Sequence, residues 1–269
     1  MPSGNLTDGW AHTAFELLSP TGSAIDCGLV GDAEQTKLCP SVAKAHPDWI
    51  ACRQNPGKPP WVTPLIAPLQ PNFSYVTYPC TPELAAMEYS QHLCWSLPAV
   101  HAALEAGVRR VLAAQQSAGY VGRYVAIEIM DGFAIPCPAD MPAIKESGSF
   151  SGPAIGAVSA VAAALEHDFP DVKLLTIAYH LDGTLVPPTR GHLVTQGLHK
   201  NVIVQFCMSY FFNGVGLRHP LNRELLGQLR GYRSISASDG LWLWCVGELA
   251  WPVYIPTYMS LVWIKERRV

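Results

Sequence analysis

Charge is what this chain has least of. Only 14% of its 269 residues are charged against 49% hydrophobic, and 18 Lys and Arg set against 21 Asp and Glu leave a formal net charge of −3. Neither sign gathers into a run that would track a phosphate backbone, so no nucleic-acid partner is expected. With so much apolar material the chain has enough to bury a sizeable core. Short chemical signatures are missing as well. There is no Cys-x-x-Cys for zinc, no Gly-x-Gly-x-x-Gly or Walker loop for nucleotides, and no Gly-x-Ser-x-Gly elbow. Gly148-Ser149-Phe150-Ser151-Gly152 has the composition of a serine elbow but falls in a loop well after the nearest strand, so serine-hydrolase chemistry is not expected. No internal repeat of about 20–50 residues is visible, which argues against solenoids and propellers.

The opening Met1-Pro-Ser-Gly-Asn-Leu-Thr-Asp has neither the basic nor the apolar region of a secretory signal. Localisation is therefore open, an extracellular site being compatible with an N-terminal truncation. The most apolar stretch, 241–264, is interrupted by Glu248, Pro252 and Pro256, so it reads as a strand followed by a loop and no membrane partner is expected. Of the eight cysteines, Cys27, Cys39, Cys52 and Cys80 fall in a loop-rich segment. Asn5-Leu6-Thr7 and Asn72-Phe73-Ser74 are formal glycosylation sequons. Disulfides in a secreted protein fit these features, and so do reduced thiols with chance sequons. No metal and no cofactor is called for.

Glycine (22) and proline (23) are plentiful, and eight of the prolines stand between residues 53 and 83. That segment is expected to be a long loop insertion covering one end of a single domain spanning 1–269. Before it, 10–18 could form a strand with a polar end. From about residue 97 the pattern becomes an alternation. Pro98 to Ser117 opens with proline, is rich in Ala and Leu, and places Val100, Leu104, Val108, Val111 and Leu112 on one side, so it predicts a helix ended by Gly119. Strands are expected at 120–130, 172–179, 201–207 and 241–246, helices at 152–169 and 221–234, and a proline-rich loop after Gly132. Continuous apolar strands separated by helices imply a parallel sheet covered on both faces, hence an α/β fold. Five or six recognisable strands fall short of a full barrel, which takes about 250 residues before insertions. The expectation is an incomplete (β/α) barrel of TIM type with long proline-rich loops, an open α/β sheet being the alternative.

Several strings, in order, resemble the domain-of-unknown-function family 4838, whose members carry a glycoside-hydrolase-like barrel. Trp10-Ala-His12-Thr13 is similar to its Gly-His-Thr-Phe strand end, and His46-Pro47-Asp48-Trp49 to its His-Pro-Glu-aromatic motif. Leu93-Cys94-Trp-Ser-Leu-Pro98 resembles its Leu-Cys-Leu-Ser-Asn-Pro, and Val125-Ala-Ile-Glu-Ile-Met-Asp131 the strand that ends in Asn-Asp. Further matches run through Cys137-Pro138, Phe169-Pro-Asp-Val-Lys, Asn201-Val-Ile-Val and His219-Pro-Leu. The resemblance spans roughly 10 to 256 and implies a barrel, a carbohydrate or glycan ligand and carboxylate-based hydrolysis. The chain departs from the family pattern at Met130, keeps only Cys137 of a cysteine trio, and has Trp244-Cys245-Val246 where Trp-Asp-Tyr would stand. These departures are the ground for an alternative: a catalytically inactive carbohydrate-binding or structural barrel fragment.

In a parallel barrel the active site forms at the C-terminal rim of the strands. Rim positions here hold Glu128 and Asp131 as the expected catalytic carboxylates. His12, Tyr179, His180, Trp244 and Glu248 are expected to bind substrate, with Gln205, Tyr210, Trp242 and Asp182 near them. Carboxylates serve as acid, base or nucleophile, and aromatic rings stack on sugar rings. Glu128 alternates with Tyr124, Ala126 and Met130, a face that points either into the barrel or at the helices. Inside a barrel it would be desolvated, a condition that suits a general acid. A buried Glu paired with Arg123 or Arg190 would sit there equally well. Asp131, before Gly132, also fits a turn cap. The histidines would serve equally as plain hydrogen-bonding partners, and Trp242 and Trp244 as wall packing.

Overall fold

A computed structural model of the chain describes residues 14–18, 45–51, 92–120, 122–129, 137–179, 184–208 and 215–244. The proline-rich segment 53–83 and the candidate residues His12, Asp131, His180, Asp182, Tyr210 and Glu248 lie outside them. The described elements are, in order, α1 (Ala14–Leu18), β1 (Ile50–Ala51), β2 (His92–Leu93), α2 (Pro98–Ser117), β3 (Tyr124–Ala126), α3 (Met141–Ser147), α4 (Ser151–Leu165), β4 (Lys173–Ala178), α5 (His192–Gln196), β5 (Val202–Cys207), α6 (Arg223–Ile235) and β6 (Leu241–Trp244). The last four strands form one all-parallel sheet in the order β3-β4-β5-β6, while β1 and β2 make a short antiparallel ladder of their own.

Helix α2 forms where the sequence places it. Pro98 occupies the first turn, where its missing N–H costs nothing, and Gly119 at φ 75° follows the last turn. Its buried stripe of Val100, Leu104, Val108 and Leu112 joins the main core. The expected strand over 10–18 is instead α1 at its C-terminal end. Ala14 and Leu17, three apart and each 1% exposed, face the core, a spacing that only a helix puts on one side. Arg110 donates to the Leu17 carbonyl at 2.7 Å, and a Cβ on Gly107 would stand 2.2 Å from that same oxygen, so α1 rests directly on α2 at a glycine.

The loop expected after Gly132 contains α3, which sequence reading missed because of its prolines. Pro142 lies in the first turn, where proline is tolerated, and Gly148 at φ 72° closes the helix. The Gly148–Gly152 stretch links α3 to α4. Its serines are engaged: Ser149 and Ser151 donate to the Val186 carbonyl at 2.5 and 2.7 Å, and both are buried. No hydroxyl there is placed as a nucleophile. Among the described residues, no single helix is long and apolar enough to cross a membrane. The bent pair α3 and α4 passes by length and composition, yet Ile155, Val158, Val161 and Leu165 of α4 are buried in the core.

One face of the sheet carries the helices. Val125, Leu174, Val202, Val204 and Phe206 share a core with α4 and with Leu225, Tyr232 and Ile235 of α6, and Phe206 meets the Tyr232 ring edge-on at 5.9 Å. On the other face Ala126, Leu175 and Ile203, side by side in register, form a separate apolar cluster with Trp242 packed against it. Side chains from the outer strands reach across that second face. The Tyr124 and Trp242 ring centroids are 5.5 Å apart, although β4 and β5 separate their strands, a span of about 14 Å across a flat sheet. Trp242 lies inward over Ala126, Leu175 and Ile203 and so reaches the Tyr124 ring across the sheet. This face is termed concave and the helix-bearing face convex, after the sense in which a parallel sheet coils in (β/α) folds.

Candidate functional site

The parallel register settles which side Glu128 takes. Val125, two residues after Arg123, pairs with Leu174 on the helix side, so Tyr124, Ala126 and Glu128 alternate onto the concave face. The ladder runs past β3, since the Ile127 amide donates to the Leu175 carbonyl at 2.8 Å. Glu128 thus lies level with Ile177, which pairs with Gln205, which pairs with Trp242. The row nearest the strand ends holds Tyr179, Cys207 and Trp244, Cys207 and Trp244 being register partners. Glu128 is 2% exposed and Gln205 is 5% exposed. The backbone at Glu128 also takes the Ala14 amide at 3.3 Å, tying the start of α1 to this strand end.

Of the expected site, then, Glu128 and Tyr179 are described with their side chains, and the strand position of Trp244 is fixed by register. Glu128 and Tyr179 stand in adjacent rows, where their row mates Ile177 and Cys207 join the main core and Tyr179 packs against it. Trp242 shares the concave face, but its ring packs on Ala126, Leu175 and Ile203 and against Tyr124 at the start of β3, so it builds the wall. Gln205 stands in the row of Glu128. Its signal is a single polar residue inside the otherwise apolar run 202–207. Among the described residues of these rows Glu128 is the one carboxylate, and no group of His, Cys, Asp and Glu able to hold a metal is found. Ile177 of β4 stands between Glu128 and Gln205, and a buried carboxylate can accept from, or exchange a proton with, a ligand hydroxyl.

Two features anchor the site from outside. Cys94 and Cys137 form a disulfide with Cα atoms 5.3 Å apart, joining the approach to α2 to the chain that follows the β3 end. Beside it Asp140, 2% exposed, accepts the Ser96 amide at 2.7 Å. Burial holds the Asp140 carboxyl above its ordinary range, opposed by the hydrogen bonds from Ser96. The second anchor is Thr184. Its hydroxyl accepts the Tyr179 amide at 3.1 Å and donates to the Tyr179 carbonyl at 2.8 Å. The Tyr232 hydroxyl donates to the Thr184 carbonyl, and burial pushes that phenol well above its usual pKa.

The four-stranded parallel sheet and its flanking helices define an α/β protein with a buried carboxylate near the C-terminal end of β3. Set against known proteins, the chain matches no family model, and no curated protein or solved structure is significantly similar to it.

Proposed function

We propose that this chain is an incomplete or divergent TIM-type barrel that takes a carbohydrate or glycan at the C-terminal rim, with Glu128 as its reacting carboxylate and no cofactor. The observation that carries the reading is Glu128, 2% exposed on the concave face of a parallel sheet and level with Gln205. Among the described residues the strands are added in sequence order and α4 and α6 pack on one face, an arrangement that a (β/α) barrel requires and that one half of a doubly wound sheet shares. In this reading Glu128 donates a proton to the leaving oxygen, Gln205 and Tyr179 bind hydroxyls, and Trp244 offers an aromatic face. Asp131 or Glu248 supplies the second carboxylate that either hydrolytic stereochemistry needs, at a separation of roughly 5–10 Å.

A second reading has its own support. Glu128 is the one carboxylate on the described concave rows, which is what a barrel that binds glycans without cleaving them would present. The test is reducing-sugar release from a panel of soluble glycans and aryl glycosides by the full chain, with binding of the same glycans measured by calorimetry. Hydrolysis that falls at least about 100-fold in both Glu128→Gln and Asp131→Asn supports the enzyme. Binding without turnover supports the silent barrel. Neither turnover nor binding overturns the carbohydrate reading.

A further inference from the structure

We infer that Thr184 is a positioning residue that fixes the β4 corner of the concave site, with Tyr232 as its brace. Tyr179 is the last described residue of the β4 run, in the row with Cys207 and Trp244, and the chain re-enters the described structure at Thr184. One hydroxyl bridges the two ends, accepting from the Tyr179 amide at 3.1 Å and donating to its carbonyl at 2.8 Å. Holding both polar groups of one peptide segment with a single side chain fixes the direction in which the Tyr179 side chain leaves the strand. Thr184 is itself buried and held. It is 3% exposed, its carbonyl receives the hydroxyl of the fully buried Tyr232, and Tyr232 is wedged edge-on against Phe206.

The segment that follows is held as firmly. The Val186 carbonyl takes two serine hydroxyls from the α3–α4 corner, and the Thr189 amide donates to the Ser147 carbonyl at 2.9 Å. The bracket is thus welded to the convex-side helices, and Tyr179 inherits its position from α4 and α6 rather than from its own strand alone. That Tyr179 faces a glycan rests on the proposed function; that Thr184 sets its position does not.

Amide hydrogen exchange of the full chain tests the bracket without any substrate. Thr184→Val keeps the shape and removes the acceptor. The Tyr179 amide is then expected to exchange about tenfold faster, the size of one net hydrogen bond, while the β5 amides stay unchanged and Thr184→Ser restores protection. Tyr232→Phe, which leaves the ring packing intact, is expected to accelerate Tyr179 by at least about threefold, and it decides the matter should Thr184→Val fail to fold. Unchanged Tyr179 exchange in the folded variants overturns the bracket whatever the activity. Faster exchange in a protein that neither binds nor cleaves glycans upholds the bracket and removes the carbohydrate reading alone. In a glycan-active protein, Thr184→Val raises KM and Thr184→Ser returns it.

Discussion

Replacing Asp140 by Asn separates the two things this side chain does. The amide keeps an oxygen for the Ser96 N–H, bonded at 2.7 Å, and discards the charge that burial disfavours. Because burial raises the folded-state pKa above the unfolded one, the contribution of Asp140 is fully present below the unfolded value, about 4, and is lost as pH rises through the folded one. Asp140→Asn should therefore match or exceed the parent in urea midpoint near pH 7, and the parent should gain on it as pH falls toward 3. A midpoint difference that does not move with pH would refute this. Glu146 has the opposite sign. The His192 amide at 2.7 Å, then the His192 ring, hold its carboxyl below the usual range, so its contribution is present above the unfolded pKa and disappears as pH falls through the folded one. For Glu146→Gln the expected stability gap at neutral pH is small, the side chain being 42% exposed, and it closes in acid.

The elements show what the disulfide and the glycines are for. Cys94 and Cys137 are 43 residues apart in sequence, and α2 and β3 lie between them. Closing a loop of that length is worth about 4 kcal/mol in the chain-entropy account, so the double change Cys94→Ser, Cys137→Ser should cost about that much in urea unfolding. Addition of reductant should lower the parent by about that much more than it lowers the variant. Helix and strand positions were legible in the sequence where periodicity and end signals agreed, as at α2, β4, β5 and α6. They were not legible at α1, a five-residue helix too short to show a period. Nor were they at α3, where Pro138 and Pro142 read as loop although both prolines lie at positions a helix start accepts. The side taken by Glu128 was hidden for a different reason. Tyr124 to Ile129 is apolar on both sides of Glu128, so only cross-strand register could orient it. A barrel rim points to strand-end residues such as Glu128 and Tyr179 but gives no hint of the Thr184 bracket, whose partners are the backbone atoms of Tyr179.

At the scale of the whole molecule the curvature of the sheet decides what the site can be. A flat four-stranded sheet would leave Glu128 and Gln205 on an open surface, whereas an arc gathers side chains from non-adjacent strands into one hollow. The contact that spans the sheet face is Tyr124 against Trp242, at 5.5 Å and 56° between ring planes, a tilted geometry of favourable aromatic pairs. Neither residue lies on a neighbouring strand of the other, so their energetic coupling reports rings that meet across this face. A double-mutant cycle with Tyr124→Ala, Trp242→Ala and the combined variant should give a coupling of about 0.5–1.5 kcal/mol in urea unfolding. Tyr124 with Tyr232, which sits among the helices on the convex side, serves as the uncoupled control. Coupling no larger than that of the control would mean that the rings do not meet across this face, and the proposed rim site would lose the contact that closes its floor.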